Sequence, residues 1–157
     1  QQITFWSMGS LAAASWEQLP LPALALATGS LFFFAQAKEL NILLLGEETA
    51  LTLGLQPAVL RRRYLLAAAL VTGVIVSACG IIAFAGLMVP HILRGFVGPD
   101  HRKLIPASVL GGALFLLWAD VAARSLLPTG ELPIGIITAI LGAPLLIRLL
   151  RAKATAY

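Results

Sequence analysis

"LLAAALVTGVIVSACGIIAFAGLMVP", residues 65–90, carries no charged side chain over twenty-six positions. About twenty apolar residues carry a helix across the hydrocarbon of a bilayer, so this run is longer than one span needs. Gly80, Gly86 and Pro90 punctuate its second half. Both residue types oppose a continuous helix, and the pattern predicts a helix, a break, and a second short helix continuing through His91–Phe96. The whole chain agrees with a membrane reading. Of its 157 residues 59% are hydrophobic and 11% are charged, too little polar surface to keep a soluble domain of this size in solution.

Outward from that run, Leu19–Ala37 is uncharged for nineteen residues. Leu104–Ala119 is apolar until Asp120 and Arg124 interrupt its end, and Leu132–Ile147 is a last run before Arg148, Arg151 and Lys153. These segments predict an all-α transmembrane fold of about five membrane helices, one of them short. The charges then set the orientation. If the loop after the first span is cytoplasmic, Lys38, Arg61, Arg62, Arg63, Arg94, Arg102, Lys103, Arg148, Arg151 and Lys153 all fall inside, and only Arg124 falls outside. That is ten of the eleven Lys and Arg residues, the bias expected of cytoplasmic loops.

The loop itself, "GEETALTLGLQPAVLRRR" (46–63), holds five charges in eighteen positions of a charge-poor chain. Glu47 and Glu48 open a helix-forming stretch, where the helix dipole favours acids. Gly54 suits a helix stop, and Pro57 suits the first turn of the next helix. The expected form is helix–Gly–helix along the membrane surface, with Ala50, Leu51, Leu53 and Leu55 available for contact. From these residues alone, such a hairpin either meets a partner or merely connects two spans.

Other classes find little support. The single Cys79 excludes an internal disulfide and a thiolate cluster. His91 and His101 lack zinc-ligand spacing, no nucleophile–base or carboxylate pair appears, and "GPDHRK" (98–103) lacks the strand and spacing of a phosphate loop. That hexapeptide reads as a tight turn, with Gly98 ending one helix and Asp100 capping the next. No enzyme activity, cofactor or metal is expected. The net charge of +4 lies beside apolar runs and points to lipid rather than nucleic acid. Trp6, Trp16 and Trp118 fit interfacial anchors or core residues. Gly135, Ala139 and Ala143 recur every fourth residue, a small-residue ridge suited to close helix packing. The chain opens on Gln1 and reads as one segment of a longer polypeptide.

Three stretches resemble a known family. "GEETALTLG" (46–54) looks like the coupling loop of bacterial binding-protein-dependent ATP-binding-cassette importers. "GLMVPHILRGFVGPDHRKLIPAS" (86–108) and "ADVAARSLLPTGELPIGIITAILGAP" (119–144) resemble the FecCD-type permeases that import vitamin B12, ferric siderophores and haem. "FWSMGSLAAASW" (5–16) is similar to the region before the sixth helix of that family. The resemblance implies that residues 1–157 match the C-terminal half, helices six to ten, of a ten-helix permease of the bacterial inner membrane, with 46–63 as its cytoplasmic coupling loop. It also implies a second permease copy, two ATPase subunits, an extracytoplasmic substrate-binding protein, and substrates of the iron-chelate, cobalamin or haem type.

Roles follow by the same resemblance. Gly46, Glu47, Glu48, Ala50 and Gly54 would form the coupling helix gripped by the ATPase. Arg124 would meet acids of the binding protein. The residues themselves also allow Arg124 to pair with Asp120, four positions earlier on the same helix face. Pro90 and His91 are expected to shape the start of a short helix, with Arg94 reaching the headgroups. His91 and Asp120 keep a proton-coupled secondary transporter open as a rival, and a membrane scaffold without transport is a second.

Overall fold

The computed structural model describes residue 9, residues 15–126 and residues 133–154. Trp6, most of the 5–16 stretch and nearly all of the turn expected at Gly130–Pro133 lie outside these residues. Among the described residues there are seven helices and no strand: α1 (Pro20–Ala35), α2 (Ala37–Leu43), α3 (Glu47–Thr52), α4 (Pro57–Cys79), α5 (Ala85–Val97), α6 (His101–Ser125) and α7 (Ile134–Ala154).

The all-α fold is the expected one, and the helix bounds differ from the expected apolar runs. Among the described residues α6 alone is long and apolar enough to cross a membrane unaided, and α1 with α2 adds a second if the bent pair is one span. The first expected span stops being straight at Gln36, where α1 and α2 meet at 59°. α4 starts eight residues before the uncharged run, at Pro57, and carries Arg61, Arg62 and Arg63 on its first turns. It ends at Gly80, which takes φ 73°, a backbone open to glycine and costly for other residues.

The second break differs from expectation in detail. Residues 80–84 supply all of it, and α5 already starts at Ala85, with Phe84 as a left-handed N-cap at φ 64°. Gly86 therefore falls in the first turn of this helix and Pro90 inside it, rather than Pro90 at its start. Pro90 sits one turn in, where its missing N–H leaves the Gly86 carbonyl without its helical donor.

α6 is the central rod. It packs against α1, α2, α5 and α7, while α1 also packs along α4. Glycines allow close crossings: a Cβ on Gly29 would stand 2.7 Å from Val71 Cγ2, and one on Gly111 would stand 2.8 Å from Leu93 Cδ1. A core cluster at the far end of α6 joins Ala119 and Ala123 to Ile134 and Ile137 of α7. The buried face of α7 is thus Ile134, Ile137, Thr138 and Gly142, while Gly135, Ala139 and Ala143 of the expected ridge lie half-buried beside it. Much apolar surface points outward instead, including Leu31, Leu65, Leu70, Leu110 and Trp118. An open apolar groove of about 790 Å³ runs between α1, α4 and α6, with Arg94 and His101 among its lining residues. Exposure on this scale marks a lipid or protein contact surface.

Candidate functional site: the α3 hairpin and its anchorage

The α3–α4 hairpin is built by local backbone chemistry. Gly46 at φ 106° turns the chain out of α2, and Glu47 and Glu48 occupy the first turn of α3. Its end is a Schellman motif: Leu55 N–H donates to Ala50 C=O at 2.9 Å and Gly54 N–H to Leu51 C=O at 2.9 Å, with Gly54 at φ 80°. Gln56 then caps α4, whose first residue is Pro57. Nothing lies within 4 Å of where a Cβ would be on Gly46 or Gly54, so these glycines serve backbone conformation and not close packing.

The faces of α3 divide its residues. Leu51 and Leu53 are 58% and 59% exposed, and Glu48 is exposed beside them. Ala50 is 0% exposed, which corrects the expectation that it is available to a partner. As the fourth residue of a six-residue helix packed on α2 and α4, it faces inward. Leu55 is half-buried. Glu47 bonds Arg61 of α4 at 2.6 Å, bracing the hairpin across its opening. Both side chains are more than 60% exposed, so the pair orients more than it stabilises.

The anchorage of the hairpin is the part that sequence reasoning missed. α2, expected as loop, bonds to two other helices. Tyr64 of α4 donates its hydroxyl to Glu39 Oε2 at 2.9 Å, while its ring lies 6.3 Å from that of Phe32 and 6.2 Å from that of Phe33. It therefore touches both arms of the α1–α2 bend. Burial, reinforced by the Glu39 carboxylate, pushes the Tyr64 hydroxyl up to about 12. On the other side, Asn41 Nδ2 donates to Asp100 Oδ1 at 2.6 Å, and Asn41 Oδ1 accepts the His101 backbone N–H at 2.9 Å. Asp100 also accepts Arg102 N–H at 3.0 Å as the N-cap of α6. That backbone bond, then the Asn41 amide, holds its carboxyl below the usual carboxylate range. A polar side chain every second or third residue of a short helix (Gln36, Glu39, Asn41) was the available signal, hidden by its attachment to an apolar run.

At the far end of α6, Arg124 Nε donates to Asp120 Oδ2 at 2.9 Å. Arg124 is half exposed and Asp120 is less so. His91 and Asp120 are not brought together. Residue 111 of α6 faces Val89 and Leu93, and Asp120 lies nine residues farther along, about 13 Å at helical rise. His91 is exposed on α5, and Arg94 lies one turn on beside the α6 N-terminus. Among the described residues no group of three or more His, Cys, Asp or Glu side chains could hold a metal.

This geometry has known relatives. The model of the FecCD transport family matches residues 1–152. The hemin transport system permease protein of Yersinia pestis is 42% identical over 144 residues, which are 92% of this chain and 43% of that protein. The cobalamin import system permease protein of Halobacterium salinarum is 45% identical over 149 residues, 95% of this chain and 40% of that protein. The vitamin B12 import system permease protein of Citrobacter koseri is 44% identical over 150 residues, 96% and 45%. A solved structure described as an inward-facing conformation of a metal-chelate type ABC transporter superposes with a TM-score of 0.87 at 36% identity, covering 96% of this chain and 49% of that one. The chain thus spans less than half the length of the curated relatives it matches.

Proposed function

Since the chain belongs to the FecCD transport family, we propose that it forms the C-terminal half of a multi-pass permease subunit in an ATP-binding-cassette importer of the bacterial inner membrane. Its cargo belongs to the class named for its relatives, haem, cobalamin or another metal chelate. The observation that carries the reading is the α3–α4 hairpin. Glu48, Leu51 and Leu53 stand exposed on a rigid, Schellman-closed helix whose inner residue, Ala50, is fully buried. A handle of this kind suits an ATPase groove that takes the exposed leucines, while acids on the first turn meet basic groups on the partner.

The permease guides and does not hydrolyse; ATP is spent in two separate ATPase subunits beneath a pair of permease copies. Arg124, held by Asp120 at the opposite end of α6, serves as the docking point for an acidic side chain of the binding protein. Basic residues support the orientation: Lys38, Arg61, Arg62, Arg63, Arg102 and Lys103 cluster around α2, α3 and the start of α6. The proton-coupled alternative receives no favouring contact, because His91 and Asp120 lie on separate levels. The test is gentle purification from native membranes, followed by reconstitution with cobalamin and with haemin as probes. A stoichiometric ATPase subunit and uptake that stops on ATP depletion are expected. Uptake that survives ATP depletion and collapses with an uncoupler would overturn the proposal.

A further inference from the structure

Force applied to α3 has to reach the long rod α6, and α3 itself packs on α2 and α4. α2 packs on α6 and adds a directional bond set there. The Asn41 amide uses both of its ends: Nδ2 on the Asp100 carboxylate at 2.6 Å and Oδ1 on the His101 N–H at 2.9 Å, with His101 Nδ1 2.8 Å from the same oxygen. These bonds join residues fifty-nine and sixty apart in sequence. They grip the cap of α6 at both a side chain, Asp100, and a backbone amide, His101 N–H. Asp100 is fixed in turn by the Arg102 N–H, so a movement of Asn41 is passed to the backbone of α6.

Building on the importer reading, we infer that Asn41 is a positioning residue that makes α2 the relay between the ATPase-facing hairpin and α6. The carboxamide is required because it donates and accepts at once. A carboxylate at position 41 would face the Asp100 carboxylate at hydrogen-bond distance, whereas a carboxylate at 41 opposite an amide at 100 restores the 41–100 bond with donor and acceptor exchanged and still accepts the His101 N–H. Asparagine is also a good N-cap, so the exchange leaves α6 capped.

The experiment compares wild type, Asn41→Asp, and Asn41→Asp combined with Asp100→Asn, each assembled with ATPase and binding protein in proteoliposomes. Two readouts are taken. One is uptake of cobalamin and of haemin per ATP hydrolysed. The other, independent of cargo, is the width of the distance distribution between spin labels at Lys38 and Leu126, both exposed. In Asn41→Asp the ATPase still co-purifies and hydrolyses ATP, uptake per ATP falls about tenfold, and the distribution broadens. The exchanged pair returns both to within about twofold of wild type. An unchanged coupling ratio with an unchanged distribution in Asn41→Asp, or an exchanged pair as defective as the single variant, would overturn the relay. A merely structural Asn41 would lower co-purification and hydrolysis together. If the wild type itself fails to hold an ATPase, the importer reading falls instead.

Discussion

The two ends of α6 are built on opposite plans. At its N-terminus, Asp100 and His101 are woven into α2 by Asn41, and α2 is in turn bonded to α4 through Glu39 and Tyr64. At its far end the charge chemistry described is local, a pair between Asp120 and Arg124 one turn apart on the same helix. Polar bonds between helices fix their relative position by direction as well as by packing, whereas the far end of α6 meets α7 through the apolar cluster of Ala119, Ala123, Ile134 and Ile137. On the importer reading proposed above, the first end transmits and the second is met by a partner. Conventional counting of salt bridges misses the difference, because the decisive contacts at the first end are amide and hydroxyl bonds.

That contrast can be broken in several places. The largest effect is expected from Leu51→Asp, which puts a charge on an exposed leucine of α3 that, on the importer reading, enters a partner groove. Co-purification of the ATPase falls at least tenfold in a pull-down, with membrane insertion unchanged, and Glu48→Lys follows in the same direction with a smaller loss. Next comes Ala50→Leu at the fully buried position. Overpacking there costs about 1–3 kcal/mol and shows as a lowered unfolding temperature in detergent, even without any partner present.

Arg124→Glu probes the far end. It weakens binding-protein docking about tenfold, read as a dissociation constant on proteoliposomes, while leaving ATPase association intact. An unaltered constant would leave Arg124 a structural residue, paired with Asp120. The smallest effect is a pH dependence at the woven end. The Tyr64 hydroxyl titrates near 12 in the folded chain, above its unfolded value of about 10. A raised folded pKa gives stability that is complete below pH ~10 and lost as pH rises toward 12. Tyr64→Phe removes that alkaline slope, measured as unfolding temperature against pH.

Local grammar carried the sequence reading a long way. Gly54, Pro57, Gly80, Gly98 and Asp100 mark helix ends in the structure because each answers a backbone need within three or four residues. What failed to show was anything decided by a distant partner. The kink at Gln36 has no proline or glycine; Tyr64 lies inside it, twenty-eight residues away in sequence. Ala50 looked available because it shares a loop with exposed leucines, and only the packing of α3 on α2 and α4 turns it inward. Pro90 looked like a helix start because a proline usually is one, yet the break had already been made by Gly80 and Phe84. Asn41 is one polar residue at the tail of an apolar segment, and its meaning appears only when Asp100 arrives beside it.

The break at residues 80–84 has an electrical consequence. α4 ends there and α5 begins there, so a carbonyl-rich terminus and an amide-rich terminus face one small region. Each carries roughly half an elementary charge of opposite sign. Among the described residues, backbone partners are found locally for Gly80 N–H on Val76 C=O, Ala85 N–H on Ala83 C=O, and Leu87 and Met88 N–H on Phe84 C=O. Hydrocarbon offers nothing to a terminal group left without a partner, so the break favours contact with protein or water over acyl chains. Gly9 stands against Ile81 and Ile82 there, so this N-terminal residue supplies protein cover at the break.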